Sequence, residues 1–191
     1  MERVKWRGST LLSPVPAALV TVGEGERANV LTVAWCGIVC SQPPVTYISV
    51  RPQRHSYGLL KECGEFVIHL TNEQLVRATD YCGVYTGAKV NKFEKCGLTR
   101  IPSTEVAPPT IAEAPLALEC RVRRVEPLGT HDMFLADILA VTVREELLDE
   151  TGKLCLDRAG LIAWSHGAYY SLGERLGSFG FTAAKKKKGG R

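Results

Sequence analysis

Nowhere in the 191-residue chain does an apolar run approach the roughly 20 residues that cross a bilayer. The opening stretch, MERVKWRGST, lacks the apolar core of a secretory leader. These absences lead to the expectation of a cytoplasmic protein with no membrane partner. Neither common nucleotide loop is present: there is no G-x-x-x-x-G-K-S/T, and no G-x-G-x-x-G between a strand and a helix. Signatures of the G-x-S-x-G and H-E-x-x-H kind are missing too. The four histidines (His55, His69, His131 and His166) show no metal-ligand spacing. Cys36 and Cys40, spaced C-x-x-x-C, are followed by no second Cys/His pair with zinc-ligand spacing. No metal site is expected, so chemistry has to come from a bound cofactor or a dispersed site.

A structured surplus of one charge sign is also missing. The formal net charge is +4, but the C-terminal KKKKGGR holds five positive charges, which leaves the remainder at −1. A nucleic-acid-binding domain carries its basic residues on a structured face, so no nucleic-acid partner is expected. Residues 181–191 are expected to be a disordered basic tail. Residues 1–180, ordinary in composition at 45% hydrophobic and 23% charged, are expected to form one domain. The seven cysteines are odd in number and scattered, as befits free thiols packing as small hydrophobes in a reducing compartment.

What the chain does contain is a succession of strand-like runs. Residues 17–22 (AALVTV) and 29–35 (NVLTVAW), separated by the turn-like GEGER, read as a hairpin. VTYISV (45–50) follows the QPP breaker, and EFVIHLT (65–71) follows a short helix over YGLLKECG that Gly64 closes. NEQLVRATDYCG opens at a plausible N-cap, Asn72, and KVNKFEKCG suggests a further helical turn ended by Gly97. Beyond Pro115 lie two long β-rich runs. In the first, Leu116, Leu118, Cys120 and Val122 alternate with Ala117, Glu119, Arg121 and Arg123, one face apolar and the other polar. A short helix is expected within residues 167–177. Without βαβ alternation, a parallel sheet is excluded in favour of an antiparallel barrel with short peripheral helices.

The most informative stretch is SVRPQRHSYGLLKECGEF (49–66), where a strand ends and a helix begins. A helix N-terminus offers unpaired N–H groups and about half a positive charge. Arg51 and Arg54 flank it with forks that match phosphate oxygens. His55 adds a donor, and Ser56 either caps the helix or donates its hydroxyl. These residues alone leave two readings level: a phosphate site, or a solvated turn whose arginines pair with nearby acids.

The wider pattern resembles the flavin reductase-like family, whose fold is the FMN-binding split barrel, and especially its flavoredoxin branch. The likeness is carried in order by NVLTVAW, SQPP, SVRPQRHSY, GEFVIHL, CGVYTGAKVNKFEKCGLT, PLALEC and LGTHDMFLADILAV. It departs from the family at Thr86, where the family has serine, and at Asn91, where it has aspartate. The resemblance implies a mainly β, antiparallel Greek-key barrel that binds FMN. It places Asn29, Thr32, Ala34 and Trp35 along the flavin. Strand parity groups Trp35 with Leu31 and Val33, so Trp35 is equally open to a core role. By the same resemblance Arg51, Arg54, His55 and Ser56 hold the phosphate, with Ser49 just below. Thr86, Gly87 and Lys92 approach from the next helical segment, and His131 sits near the open flavin face, where it would guide a nicotinamide or a proton. A homodimer with flavin near the interface is also implied. The activity implied is electron movement between NAD(P)H and flavin or another acceptor, small molecule or protein. A flavoredoxin-like carrier serving a protein redox partner and a non-catalytic flavin-binding module stay open as alternatives.

Overall fold

Apolar runs separated by turn residues shape the central strands. The computed structural model describes residues 1–183; the tail expected to be disordered lies outside the described residues from position 184. β1 (Val15–Pro16) leads into β2 (Ala18–Val22), β3 (Asn29–Val33), β4 (Cys36–Ser41) and β5 (Pro44–Val50). Helix α1 (His55–Cys63), β6 (Glu65–His69), α2 (Val76–Val84) and α3 (Lys92–Cys96) come next. The short β7 (Arg100–Ile101) and β8 (Thr110–Ile111) precede the long β9 (Leu116–Pro127) and β10 (Asp132–Val143), and β11 (Ile162–Ser165) and β12 (Ala168–Ser171) follow.

Seven strands form one antiparallel sheet in the order β3-β2-β6-β9-β10-β5-β4. Its two edge strands, β3 and β4, are consecutive in the chain and separated only by Ala34 and Trp35. Laid flat, seven strands would hold those edges about 29 Å apart. A link of this length spans roughly 10 Å at most. The sheet therefore curls until its edges meet, and the Ser49 N–H bond to the Trp35 carbonyl at 2.9 Å extends the β5–β4 pairing back into the link itself. The result is the expected Greek-key split barrel.

Ala18, Val20 and Val22 of β2 point into the barrel with Leu31, Val33, Ile48, Phe66, Cys120 and Phe134, and Leu60 of α1 joins them. The other face of β2 and β3 is buried as well. Leu19 and Val30 pack there against Leu75, Ala78 and Cys82 of the α2 segment and Phe93 of α3. Both faces of β2 are thus apolar-buried, with α2 and α3 covering the outer one.

Local signals read from the sequence recur: Asn72 accepts from the Leu75 N–H at 3.1 Å, and Gly64 closes α1 at φ 68°. Three features differ from expectation. Residues 167–177 hold no helix; β12 lies there, paired with β11 through a two-residue turn in which His166 (φ 48°) and Gly167 (φ 88°) are both left-handed, the geometry that favours hairpins. Residues 36–41, unassigned in the sequence reading, form the edge strand β4. Glu119, on the supposedly polar face of β9, is fully buried and accepts N–H bonds from Thr104 and Glu105 at 2.6–3.0 Å. A loop fifteen residues upstream folds over it.

Replacing Glu119 with alanine is expected to cost about 2–4 kcal/mol, because charge-assisted bonds to a buried carboxylate are lost together. Urea unfolding measures this; a loss below about 0.5 kcal/mol, typical of a surface change, would contradict it.

Candidate functional site

β5 ends at Val50, and a turn closed by the Arg54 N–H to the Arg51 carbonyl (3.0 Å) delivers the chain into α1. The helix begins at His55, earlier than the sequence suggested, so Ser56 lies inside its first turn instead of capping it. No side chain caps α1, which leaves its first N–H groups for a ligand. Ser56 is buried, and its hydroxyl accepts from the Asn29 amide at 2.7 Å, tying the turn to the start of β3. Gly87 backs onto Asn29 so closely that a Cβ at position 87 would lie 2.2 Å from the Asn29 Oδ1. Any larger residue there would displace the Asn29 side chain.

Two expected ligands have structural work as well. Lys92 is 3% exposed, and its Nζ donates to the carbonyls of Val30 (2.7 Å) and Cys82 (2.8 Å). The Arg54 Nη1 donates to the Gly83 carbonyl at 2.8 Å. Cys82 and Gly83 belong to the last turn of α2, which has no basic residue of its own. Cations from elsewhere in the chain therefore satisfy the negative end of that helix. Burial holds the Lys92 ammonium below the ordinary lysine pKa. Each group keeps donors in reserve: one of three on the lysine, and four of five on the guanidinium.

Two adjoining cavities accommodate the sequence-predicted residues. The first, ≈150 Å³, is lined by Asn29, Arg54, His55, Ser56, Thr86, Gly87 and Lys92. The second, ≈170 Å³, is lined by Thr32, Ala34, Trp35, Ser49, Arg51, Arg54 and His131. Leu31 and Arg54 line both, which makes them two ends of one cleft along β3, and no carboxylate lines either. The first end is an anion cradle: helix N–H groups, two cations and a hydroxyl. These donors fit a phosphate monoester, and the flatter second end fits an aromatic ring system.

Several placements refine the expectations. Arg51, expected beside the phosphate, instead lines the second end, because it continues the face of β5 that carries Ser49. Trp35 is not core: it is 39% exposed and lies with its ring centroid 4.5 Å from that of His131. The Thr32 hydroxyl donates to the Thr79 carbonyl and so is committed to α2. Gln53 and Tyr85 also line the first end and were missed; Tyr85 stacks on Tyr81 at 4.2 Å, a helix-end contact with no sequence signature.

His131 receives a 3.3 Å hydrogen bond from the Arg51 Nε on its Nε2, and its Nδ1 faces the Thr130 hydroxyl at 3.0 Å. Arginine only donates, so Nε2 is the bare nitrogen and the neutral ring carries its proton on Nδ1. Burial, then the charges of Arg51 and Arg54, lower its pKa.

Residues 11–173 match the family model described as the flavin reductase like domain. The chain belongs to the flavin reductase-like family. It is similar to the solved flavoredoxin of Desulfovibrio vulgaris (Miyazaki F), with a TM-score of 0.87 and 30% identity, covering 96% of this chain and all of that one. An uncharacterized protein of Archaeoglobus fulgidus is 36% identical over 131 residues, 69% of this chain and 73% of that protein. The NADPH-flavin oxidoreductase of Streptomyces viridifaciens is 27% identical over 135 residues, 70% of this chain and 69% of that protein.

Titration of His131 by NMR is expected below the ordinary histidine pKa, so the ring is neutral at pH 7 and gains charge only as pH falls. Arg51→Ala should move the midpoint up, because a neighbouring positive charge is removed. A midpoint that does not rise would mean that the Arg51 contact is absent in solution.

Proposed function

We propose that this chain binds FMN in the β3 cleft and is an oxidoreductase that moves electrons between NAD(P)H and flavin or another acceptor. The observation that carries this reading is the polarity of the cleft. Donors and cations gather at the α1 end, Trp35 and His131 stand at the other, and no carboxylate lies between them. When bound, the flavin supplies the hydride and electron chemistry. The chain's own residues bind and orient it. Arg54, His55, Ser56 and the α1 N–H groups would hold the phosphate, with the spare Lys92 donor behind them. Asn29 fixes Ser56 and is itself braced by Gly87. His131, neutral and aimed by Arg51, offers a proton-accepting nitrogen only when that arginine turns away.

The likeness to flavoredoxin favours a second reading, an electron carrier that serves a protein redox partner with little turnover of pyridine nucleotide. Steady-state NAD(P)H oxidation with added FMN separates the two. Turnover supports the first reading, and its absence together with reduction of bound flavin by a reduced ferredoxin supports the second. A cytoplasmic setting suits both readings, since all seven cysteines are free thiols.

The purified protein is expected to bind FMN more tightly than riboflavin. Arg54→Ala should weaken FMN binding by about 1.5–3 kcal/mol, roughly ten- to a hundredfold, and riboflavin far less. Arg51→Ala, at the other end of the cleft, should affect the two ligands alike. Fluorescence titration decides: equal losses for Arg54→Ala would remove the phosphate from that end, and no binding of either flavin would overturn the reading.

We also propose a homodimer. Ile38 and Val39 of the edge strand β4 are 63% and 51% exposed, and Val141 of β10 is 53% exposed, an apolar surface that a second copy would cover. Light scattering at micromolar concentration should give twice the chain mass of 20.9 kDa; a single chain mass would refute it.

A further inference from the structure

The C-x-x-x-C pair of β4 is the conspicuous cysteine spacing in the sequence, but a different pair meets in space. Cys82, buried in α2, lies with its sulfur 4.0 Å from that of Cys96, the last residue of α3. The chain between them, residues 83–95, carries Thr86, Gly87 and Lys92, all of which line the phosphate end of the cleft, and Gly83, whose carbonyl holds Arg54. One covalent bond between these two sulfurs would close that whole segment into a ring.

We propose that Cys82 and Cys96 form a reversible disulfide that fixes residues 83–95 over the phosphate end of the cleft and slows the release of bound flavin. The thiol pairing stands on its own geometry; its effect on release rests on the flavin-binding reading above. Bond formation needs the sulfurs to close by roughly 2 Å. That is a small adjustment where a five-residue helix meets the end of α2.

The two thiols are unequal. Cys96 is partly exposed and opens onto the broad groove along α2 lined by Gln74, Tyr81 and Lys95, which gives an oxidant its approach. Cys82 is enclosed, and burial pushes its thiol up to about 12, so it keeps its proton. Burial raises the Cys96 thiol too, but there the contact with Cys82 and the Lys92 charge both work in favour of the thiolate. With hydrogen peroxide as oxidant, the Cys96 thiolate attacks one oxygen and breaks the O–O bond. The departing oxygen takes a proton to become water and leaves a sulfenic acid. The Cys82 sulfur then attacks the Cys96 sulfur, and its proton leaves with the hydroxyl as a second water. Two thiols lose two electrons, and one peroxide becomes two waters.

The test uses the full chain, treated with peroxide or with a thiol reductant, alkylated, and mapped by mass spectrometry without reduction. A peptide joining Cys82 to Cys96 is expected in the oxidised wild type and not in Cys96→Ser. Recovery of both residues alkylated, or Cys96 as an unpaired sulfinate, would overturn the pairing. FMN release, followed by the recovery of its fluorescence on dilution, should be several-fold slower from oxidised than from reduced wild type and the same for both treatments of Cys96→Ser. Equal release rates from the two wild-type forms would overturn the latch. A protein that binds no FMN in either form would overturn the proposed function instead, and the peptide map would still decide the thiol pair.

Discussion

Two residues, Ala34 and Trp35, connect strands that lie at opposite edges of a seven-stranded sheet. That short link forces the sheet to close on itself, and the geometry of the cleft follows from the closure. At the seam, β3 runs past the end of β5, which brings Asn29, Thr32 and Trp35 alongside Ser49 and the turn into α1. β10 adds the other wall: it pairs with β5 so that Asp132 lies opposite Val50, which sets His131 beside Trp35 at the mouth. An open sheet of the same strands would scatter these residues along two remote edges.

Electrostatics completes what topology begins. The positive start of α1 and the negative end of α2 face the same small region, and Arg54 stands between them with one donor on the Gly83 carbonyl and the rest free. Lys92 repeats the arrangement more deeply, bridging β3 and α2 from the first turn of α3. A buried cation without a carboxylate partner, as Lys92 is, is costly. Here main-chain carbonyls meet that cost, so the positive charge persists into a cleft that no acid neutralises. The same residues hold the fold and present the charge.

Much of this was legible in the chain because it is local. Apolar runs split by the turn residues GEGER announced the hairpin of β2 and β3, and period-two alternation announced β9. Asn72, Gly64 and Gly97 marked helix ends by their own chemistry; the junction before α1 offered Arg51, Arg54, His55 and Ser56, and the ordered family resemblance added the other residues expected at the site. What escaped depends on partners distant in sequence. Glu119 looked solvent-facing because alternation cannot see a loop folding over it. The caps on α2 come from Arg54 and Lys92, so no inspection of the helix itself would reveal them. β12 was mistaken for a helix because its strand character rests on pairing with β11 across a left-handed two-residue turn. Cys82 and Cys96 are separated by α3 and the loop before it, a spacing that corresponds to no regular repeat.

The two-residue seam has a thermodynamic consequence. A ligand lying along β3 touches both sides of the closure, so opening the barrel at that point would destroy its binding surface. Occupancy and global unfolding are then coupled: each tenfold rise of free ligand above its dissociation constant adds about 1.4 kcal/mol to the stability of the folded chain. Whatever fills the cleft acts as the final fastening of the barrel, and melting temperature becomes a direct gauge of how full the cleft is.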